Sequence, residues 1–218
     1  MKIYHDGIGE VMLVDSMGGD SSVVRAARVS HGEDAKVFDK ERDARLIRFL
    51  AKHKHMSPFE HVQFTFKVVA PLFVAVQHMR HRTASYNMIS RRYTSENIQF
   101  YIPDELHKQS TKDKQMSADP HVFSEEWLRE MRQSSSAAFE LYHRMINDGV
   151  AREEARMVLP QNVYTSYFVT VNLRNLHAFC ILRMDDHAQF EIRRVAEMMA
   201  DYAKDVVPLS WEALSNEC

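Results

Sequence analysis

Cysteine is almost missing from these 218 residues: Cys180 lies within LHAFCILRM and Cys218 stands at the last position. No CxxC pair exists, so neither a disulfide framework nor a thiol-ligated metal fits the chain. Glycine and proline are scarce too, at six each, which excludes a large low-complexity or unfolded part. No apolar run approaches the roughly 18 residues that a membrane span requires. The opening MKIYHDGIGEVMLVD places Asp6 and Glu10 where a secretory signal would be apolar, so the sequence reads as cytoplasmic, with no membrane partner. Twelve histidines include His53, His55 and His61 but form no HExxH, and no metal site is expected.

The most informative absence is that of acid. From His61 to Ser95 there is no Asp or Glu, while Lys67, Arg80, Arg82, Arg91 and Arg92 bring +5; the net charge of -2 therefore leaves -7 for the rest. Focused positive charge in a slightly acidic protein suits a small anion such as a phosphate. A nucleic-acid-binding protein usually carries a broad basic face and a high pI. A solvated arginine run, or pairing with distant carboxylates, is the plainer reading of the same residues.

What is present is ordinary for a globular chain: 45% apolar and 27% charged residues, enough to bury a core in one large or two small domains. Apolar and polar residues alternate through His61 to Val69, with Val62, Phe64, Phe66 and Val68 on one side, and predict a strand. Pro71 fits the first turn of a following helix, Leu72 to Arg82. Further helices are expected at Ser21–Val29, Asp39–His53, Ser124–Asp148, Arg152–Leu159, Asn175–Met184 and Ala188–Val206, and strands at Gly9–Val14, Ile98–Ile102 and Val163–Asn172. Ser124 is placed to cap its helix, Phe123 and Leu128 to staple it, and Gly149 to end it. The polar stretch between Pro103 and Pro120 reads as a linker or a surface loop. His187 and Glu191, four apart, read as partners on one helix.

On a helix through Arg82, residues Gln77, Arg80 and His81 share a face and Arg82 points to the opposite side. Either two ligands meet there or the segment lies between subunits. Arginine suits phosphate because its planar fork makes paired, charge-assisted hydrogen bonds. Thr83, Ser85, Asn87 and Ser90 add short polar groups beyond it.

Arg80-His81-Arg82, seven residues, then Ser90 is RHRx7S, and the chain resembles the flavin-dependent thymidylate synthases from end to end. AARVS at Ala26–Ser30, HMSPFEH at His55–His61, AREEARMVLP at Ala151–Pro160, NLRNL at Asn172–Leu176 and LRMDDHAQFEIR at Leu182–Arg193 extend the likeness. The resemblance implies a single-domain α+β fold, a twisted and mainly antiparallel sheet flanked by helices, assembled as a homotetramer with active sites between subunits. It implies methylation of dUMP to dTMP, with FAD as cofactor and 5,10-methylenetetrahydrofolate and NADPH as co-substrates. By position, Ser57, Arg80, His81, Arg82, Thr83, Asn172, Arg174 and Ser30 would hold FAD, with His55 and Glu60 near flavin and folate. Gln77, Arg80, Met88, Ser90, Arg91, Arg92, Arg156 and Arg183 would hold dUMP, and Arg183 would stabilise the uracil ring. Met88 stands where the family usually has glutamate, and Arg91 where a small residue is common; Ala178 and His177 are left out of the site.

The chemistry can be examined without the family. A pyrimidine C5 becomes nucleophilic through thiolate attack at C6 or through stabilisation of a ring anion. Neither cysteine suits the first route, Cys180 lying among apolar neighbours and Cys218 at a chain end. Arg183 suits the second. Two other readings stand beside this one: an RNA-binding module that uses Arg91, Arg92, Tyr86 and Tyr93, and a homologue that keeps the nucleotide pocket without turnover.

Overall fold

The computed structural model describes residues 1–32, 39–111 and 116–216. Its centre is the alternating segment. In β2, Gln63–Pro71, the side chains of Phe64, Phe66, Val68 and Ala70 are fully buried while Gln63, Thr65 and Lys67 stay partly exposed. Deleting either phenylalanine ring to alanine would cost about 3–5 kcal/mol. β1, Glu10–Met17, pairs along one side of β2 and β6, Tyr164–Asn172, along the other; the short β3, Ser85–Met88, extends the edge. The order is β1-β2-β6-β3, antiparallel throughout, with Phe66 opposite Val169 and Ser85 opposite Thr170.

Helices α1, Asp20–Arg28, and α2, Lys40–Lys52, follow β1; α3, Leu72–His78, follows β2. A small hairpin of β4, His107–Gln109, and β5, Ser117–Pro120, occupies the stretch that reads as a linker. Then come α4, Ser124–Asn147, the single turn α5, Arg152–Ala155, β6, and three helices: α6, Leu173–Met184, α7, Phe190–Val206, and α8, Pro208–Ser215. The core lies between the Phe64–Phe66–Val169–Val171 side of the sheet and helices α1, α2, α6, α7 and α8. Mixed helix and antiparallel sheet is the class the sequence implies.

Two strand-to-helix junctions position the site. Because Pro71 lies opposite Tyr164 and Gln63 opposite Asn172, α3 and α6 leave the sheet from opposite ends. Their helices meet over it, the His78 ring stacked on Phe179 at 4.3 Å. α6 is capped by Asn172, whose Oδ1 accepts the Asn175 N–H at 2.9 Å.

Several expectations are corrected. The helix expected to reach Arg82 ends at His78, because Tyr86 on β3 donates its hydroxyl to the carbonyls of His78 and His81, both at 3.0 Å, and holds the chain in a turn. The opposed arginines read from a helical wheel therefore have no helix beneath them. Residues 98–102 form only the isolated bridge Phe100–Val163, since they pass β6 at its Pro160 corner rather than along it. Ser124 begins its helix without capping it: its Oγ accepts the Leu106 N–H at 2.7 Å. Gly149, at φ 87°, closes α4 in the left-handed region as expected. His187 precedes α7 and binds Asp185 at 2.8 Å, whereas Glu191 is buried and accepts the Tyr101 hydroxyl.

Candidate active site

The RHR segment is a turn laid along one face of α6. Asn175, Phe179 and Arg183 recur at four-residue spacing, which aligns them on a helix. Asn175 Nδ2 donates to the Thr83 carbonyl at 3.4 Å, Phe179 stands edge-on to the His81 ring at 4.8 Å, and the Arg183 Nε–H reaches His81 Nε2 at 3.0 Å. Sequence reasoning named Arg183, His81 and Thr83 but missed Asn175 and Phe179, and it used Tyr86 only in the RNA-binding reading. The spacing of four back from Arg183 was the signal available for the missed two.

Burial and the neighbouring cation hold the His81 ring below the ordinary histidine range. His78, wholly buried behind it and bonded to the Tyr167 hydroxyl at 2.9 Å, is pushed down to about 3 by desolvation, with smaller contributions from His81 and Arg183. Partial burial lowers the Arg183 guanidinium from its usual value. Arg80 and Arg82 are exposed, and among the described residues neither has an ion pair or a side-chain hydrogen bond. Gln77 Oε1, on α3, is buried and has no hydrogen-bond partner among the described residues.

A second group lies at the far end of α6. Ser30, His55 and Ser57 line one cleft of about 650 Å³, with Phe49, Met56 and Pro58 supplying apolar surface. A buried ion pair of Arg28 with Asp43 fixes α1 against α2 beside it. Glu60, in the short 3-10 segment Ser57–His61, binds Arg174 in the first turn of α6 at 2.5 Å. Asn172 spends its Oδ1 on the α6 cap.

Arg91, Arg92 and Arg156 form a third group, and the fold gives each of them an internal partner. Arg91 donates to the carbonyls of Glu96 at 2.6 Å, Tyr164 at 3.4 Å and Asn97 at 3.5 Å. Arg92 pairs with Glu153 at 3.0 Å, and Arg156 Nε donates to the Glu153 carbonyl at 3.3 Å. Ser90 Oγ accepts the Arg92 N–H at 3.3 Å. Met88, partly buried, packs its side chain against the core from the sheet edge. Among the described residues no hydrogen bond or ion pair joins this group to the His81–Arg183 group. The one described cysteine, Cys180, is fully buried; desolvation drives its thiol well above the usual range, and the sulfur donates to the Ala196 carbonyl at 3.5 Å.

Comparison with known proteins gives this arrangement a context. Residues 12–209 match the family described as "Thymidylate synthase complementing protein". A flavin-dependent thymidylate synthase of Thermus thermophilus is 47% identical over 94% of this chain and 75% of its own length. Its counterpart in Thermotoga neapolitana is 43% identical over 98% of this chain and 94% of its own. Among solved structures, a UMP/dUMP methylase, PolB, from Streptomyces cacaoi bound with 5-Br dUMP superposes with a TM-score of 0.88 at 37% identity, covering 95% of each chain. The same enzyme bound with 5-Br UMP gives 0.86 at 35% identity, covering 96% of this chain and 94% of its own. The chain therefore belongs to the family of thymidylate synthase complementing proteins.

Proposed function

We propose that this protein is a flavin-dependent thymidylate synthase, methylating dUMP to dTMP with 5,10-methylenetetrahydrofolate as carbon donor and NADPH as reductant. One observation carries the reading: the RHR turn and Arg183, 102 residues apart in sequence, are joined by a hydrogen bond in one polar, part-buried place. The names of the relatives and the methylase neighbour point the same way.

The residues present fit FAD. Hydroxyls and an imidazole from Ser30, Ser57 and His55 share a cleft with apolar surface, and Arg80 and Arg82 offer guanidinium groups without ion pairs among the described residues to a pyrophosphate. Thr83, Asn172, Arg174 and Glu60 frame the same end of α6. When bound, FAD supplies the hydride and one-carbon relay that no side chain can. The chain's own part is binding and electrostatics. Arg183 offers a fixed cation to a pyrimidine ring as negative charge develops on it. Gln77, with its unpartnered oxygen, and Arg80 approach the nucleotide from the α3 side. Cys180 has no thiolate to give, which removes the covalent route for that residue.

Ser90, Arg91, Arg92, Arg156 and the Met88 backbone complete a dUMP site from a neighbouring copy, in a homotetramer of single-domain chains with composite sites. Two features support this assembly: among the described residues no hydrogen bond or ion pair joins the third group of arginines to the first, and Val122, Phe123, Trp127 and Leu141 are exposed on or beside α4.

Purified protein should be yellow and, given dUMP, methylenetetrahydrofolate and NADPH, should form dTMP. A colourless preparation that FAD cannot reconstitute, or a reconstituted one that forms no dTMP, would refute the assignment. Because the structural neighbour is a UMP/dUMP methylase, UMP forms the parallel arm; methylation of UMP alone would move the substrate to ribonucleotides.

A further inference from the structure

We propose that His81 is a positioning residue for Arg183: its ring nitrogen accepts the Arg183 Nε–H and thereby aims the two remaining amino groups of the guanidinium at the pyrimidine. The inference rests on the dUMP reading above and assigns His81 a duty different from touching FAD. Its first support is donor chemistry. A guanidinium only donates, so His81 Nε2, 3.0 Å from Arg183 Nε, must be an acceptor. The ring is then neutral, with its proton on Nδ1.

The second support is how firmly the ring is held. Phe179, one turn before Arg183 on α6, packs edge-on against it at 4.8 Å and 90°. The His81 N–H donates to the His78 carbonyl at 3.0 Å, and the His81 carbonyl receives the Tyr86 hydroxyl at 3.0 Å. Asn175 holds the Thr83 carbonyl two residues on. One face of α6 thus anchors the turn at Thr83 and meets the His81 ring with both Phe179 and Arg183. Arg183, near the end of the helix, gains its direction from a ring packed edge-on against Phe179.

The groups facing His81 are Arg183 from α6, His78 from α3 and the Tyr86 phenol from β3, with Arg80 and Arg82 beside it in the turn. All are cationic or neutral, so protonation of His81 is opposed. When it does occur, the acceptor becomes a donor facing a donor. The contact breaks and the aim of Arg183 is lost.

The test uses FAD-loaded protein and four variants: His81→Leu, which removes the acceptor; His81→Gln, which restores one near the Nε2 position without titrating; Arg183→Ala; and His81→Leu combined with Arg183→Ala. Bound flavin is read by absorbance, the dUMP dissociation constant by equilibrium dialysis, and turnover by dTMP formation. His81→Leu should keep its flavin, weaken dUMP binding about 10-fold and slow turnover about 10- to 100-fold. His81→Gln should recover part of both, and the double variant should be no worse than Arg183→Ala. Between pH 7 and 5 dUMP affinity should fall further in wild type than in His81→Gln; phosphate protonation is common to both and cancels in the ratio. Loss of flavin from His81→Leu with dUMP binding intact, or additive losses in the double variant, would overturn the proposal. Failure of wild type to bind dUMP at all would overturn the functional reading and this inference with it.

Discussion

Arg80 and Arg82 share an acid-free stretch of sequence with Arg91 and Arg92, yet the fold treats the two pairs oppositely. Arg92 finds the Glu153 carboxylate and Arg91 three backbone carbonyls, one of them on β6. Arg80 and Arg82 find neither, among the described residues, and sit in a turn beside an arginine that leans on a neutral histidine. Lack of acid nearby in the chain therefore does not mean lack of a partner in space. Within one chain the first pair has guanidinium groups free of internal partners among the described residues, whereas Arg91 and Arg92 would share theirs between these internal partners and an anion. The RNA-binding reading loses most by this, because two of the four groups it used are Arg91 and Arg92.

The comparison can be broken by substitution. Arg183→Ala should lower dTMP formation by about 10²- to 10³-fold, the scale for removing a group that stabilises developing charge, while the thermal midpoint stays within about a degree. Next in size is a pH effect on stability centred on His78, behind the RHR turn. Its folded pKa is pushed down to about 3, so the unfolded chain binds this proton first. Stability contributed by the neutral ring is complete above pH 6.5 and falls as pH drops from there toward 3, by up to about 1.4 kcal/mol per unit. Denaturant midpoints for wild type and His78→Phe, compared at pH 7 and 5, should converge toward acid if the ring has this role.

Arg91→Ala should act on the fold, removing hydrogen bonds from a charged donor at a cost of about 1.5–3 kcal/mol. That lowers the melting midpoint by several degrees in a chain of this size, whereas Arg80→Ala should leave the midpoint alone and weaken ligand binding. If the two variants behave alike in calorimetry, the distinction between the pairs is wrong. The smallest effect belongs to Arg92→Ala or Glu153→Gln. Both side chains are about half exposed, and breaking such a pair should change stability by no more than about 1 kcal/mol.

Much of this was legible in the sequence, and the failures have physical causes. The alternation of β2 announced itself because one face is dry and the other is not. The α6 helix was found with its start two residues late, and its cap, Asn172, stood in the motif assigned to flavin. The end of α3 was hidden because nothing local stops it: the Tyr86 hydroxyl that captures two of its carbonyls arrives from the next strand. β3 is too short to show a period and owes its form to the free edge of β6. Ser124 looked like a cap until a neighbouring segment offered it the Leu106 N–H. Motifs named residues that the fold gathers into three separate groups. Which arginines remained free was set partly by the nearby carbonyls of Glu96 and Asn97 and partly by the Tyr164 carbonyl and the Glu153 carboxylate, which no local window contains.

The central claim is that a guanidinium held by histidine, and not a cysteine thiolate, makes the pyrimidine reactive. Its most direct test measures dTMP formation by Arg183→Ala and Cys180→Ala side by side, each loaded with FAD to the same absorbance. The account expects Cys180→Ala to turn over as wild type does and Arg183→Ala to bind flavin yet form almost no dTMP. Retained turnover in Arg183→Ala, or its loss in a folded and flavin-loaded Cys180→Ala, would contradict it.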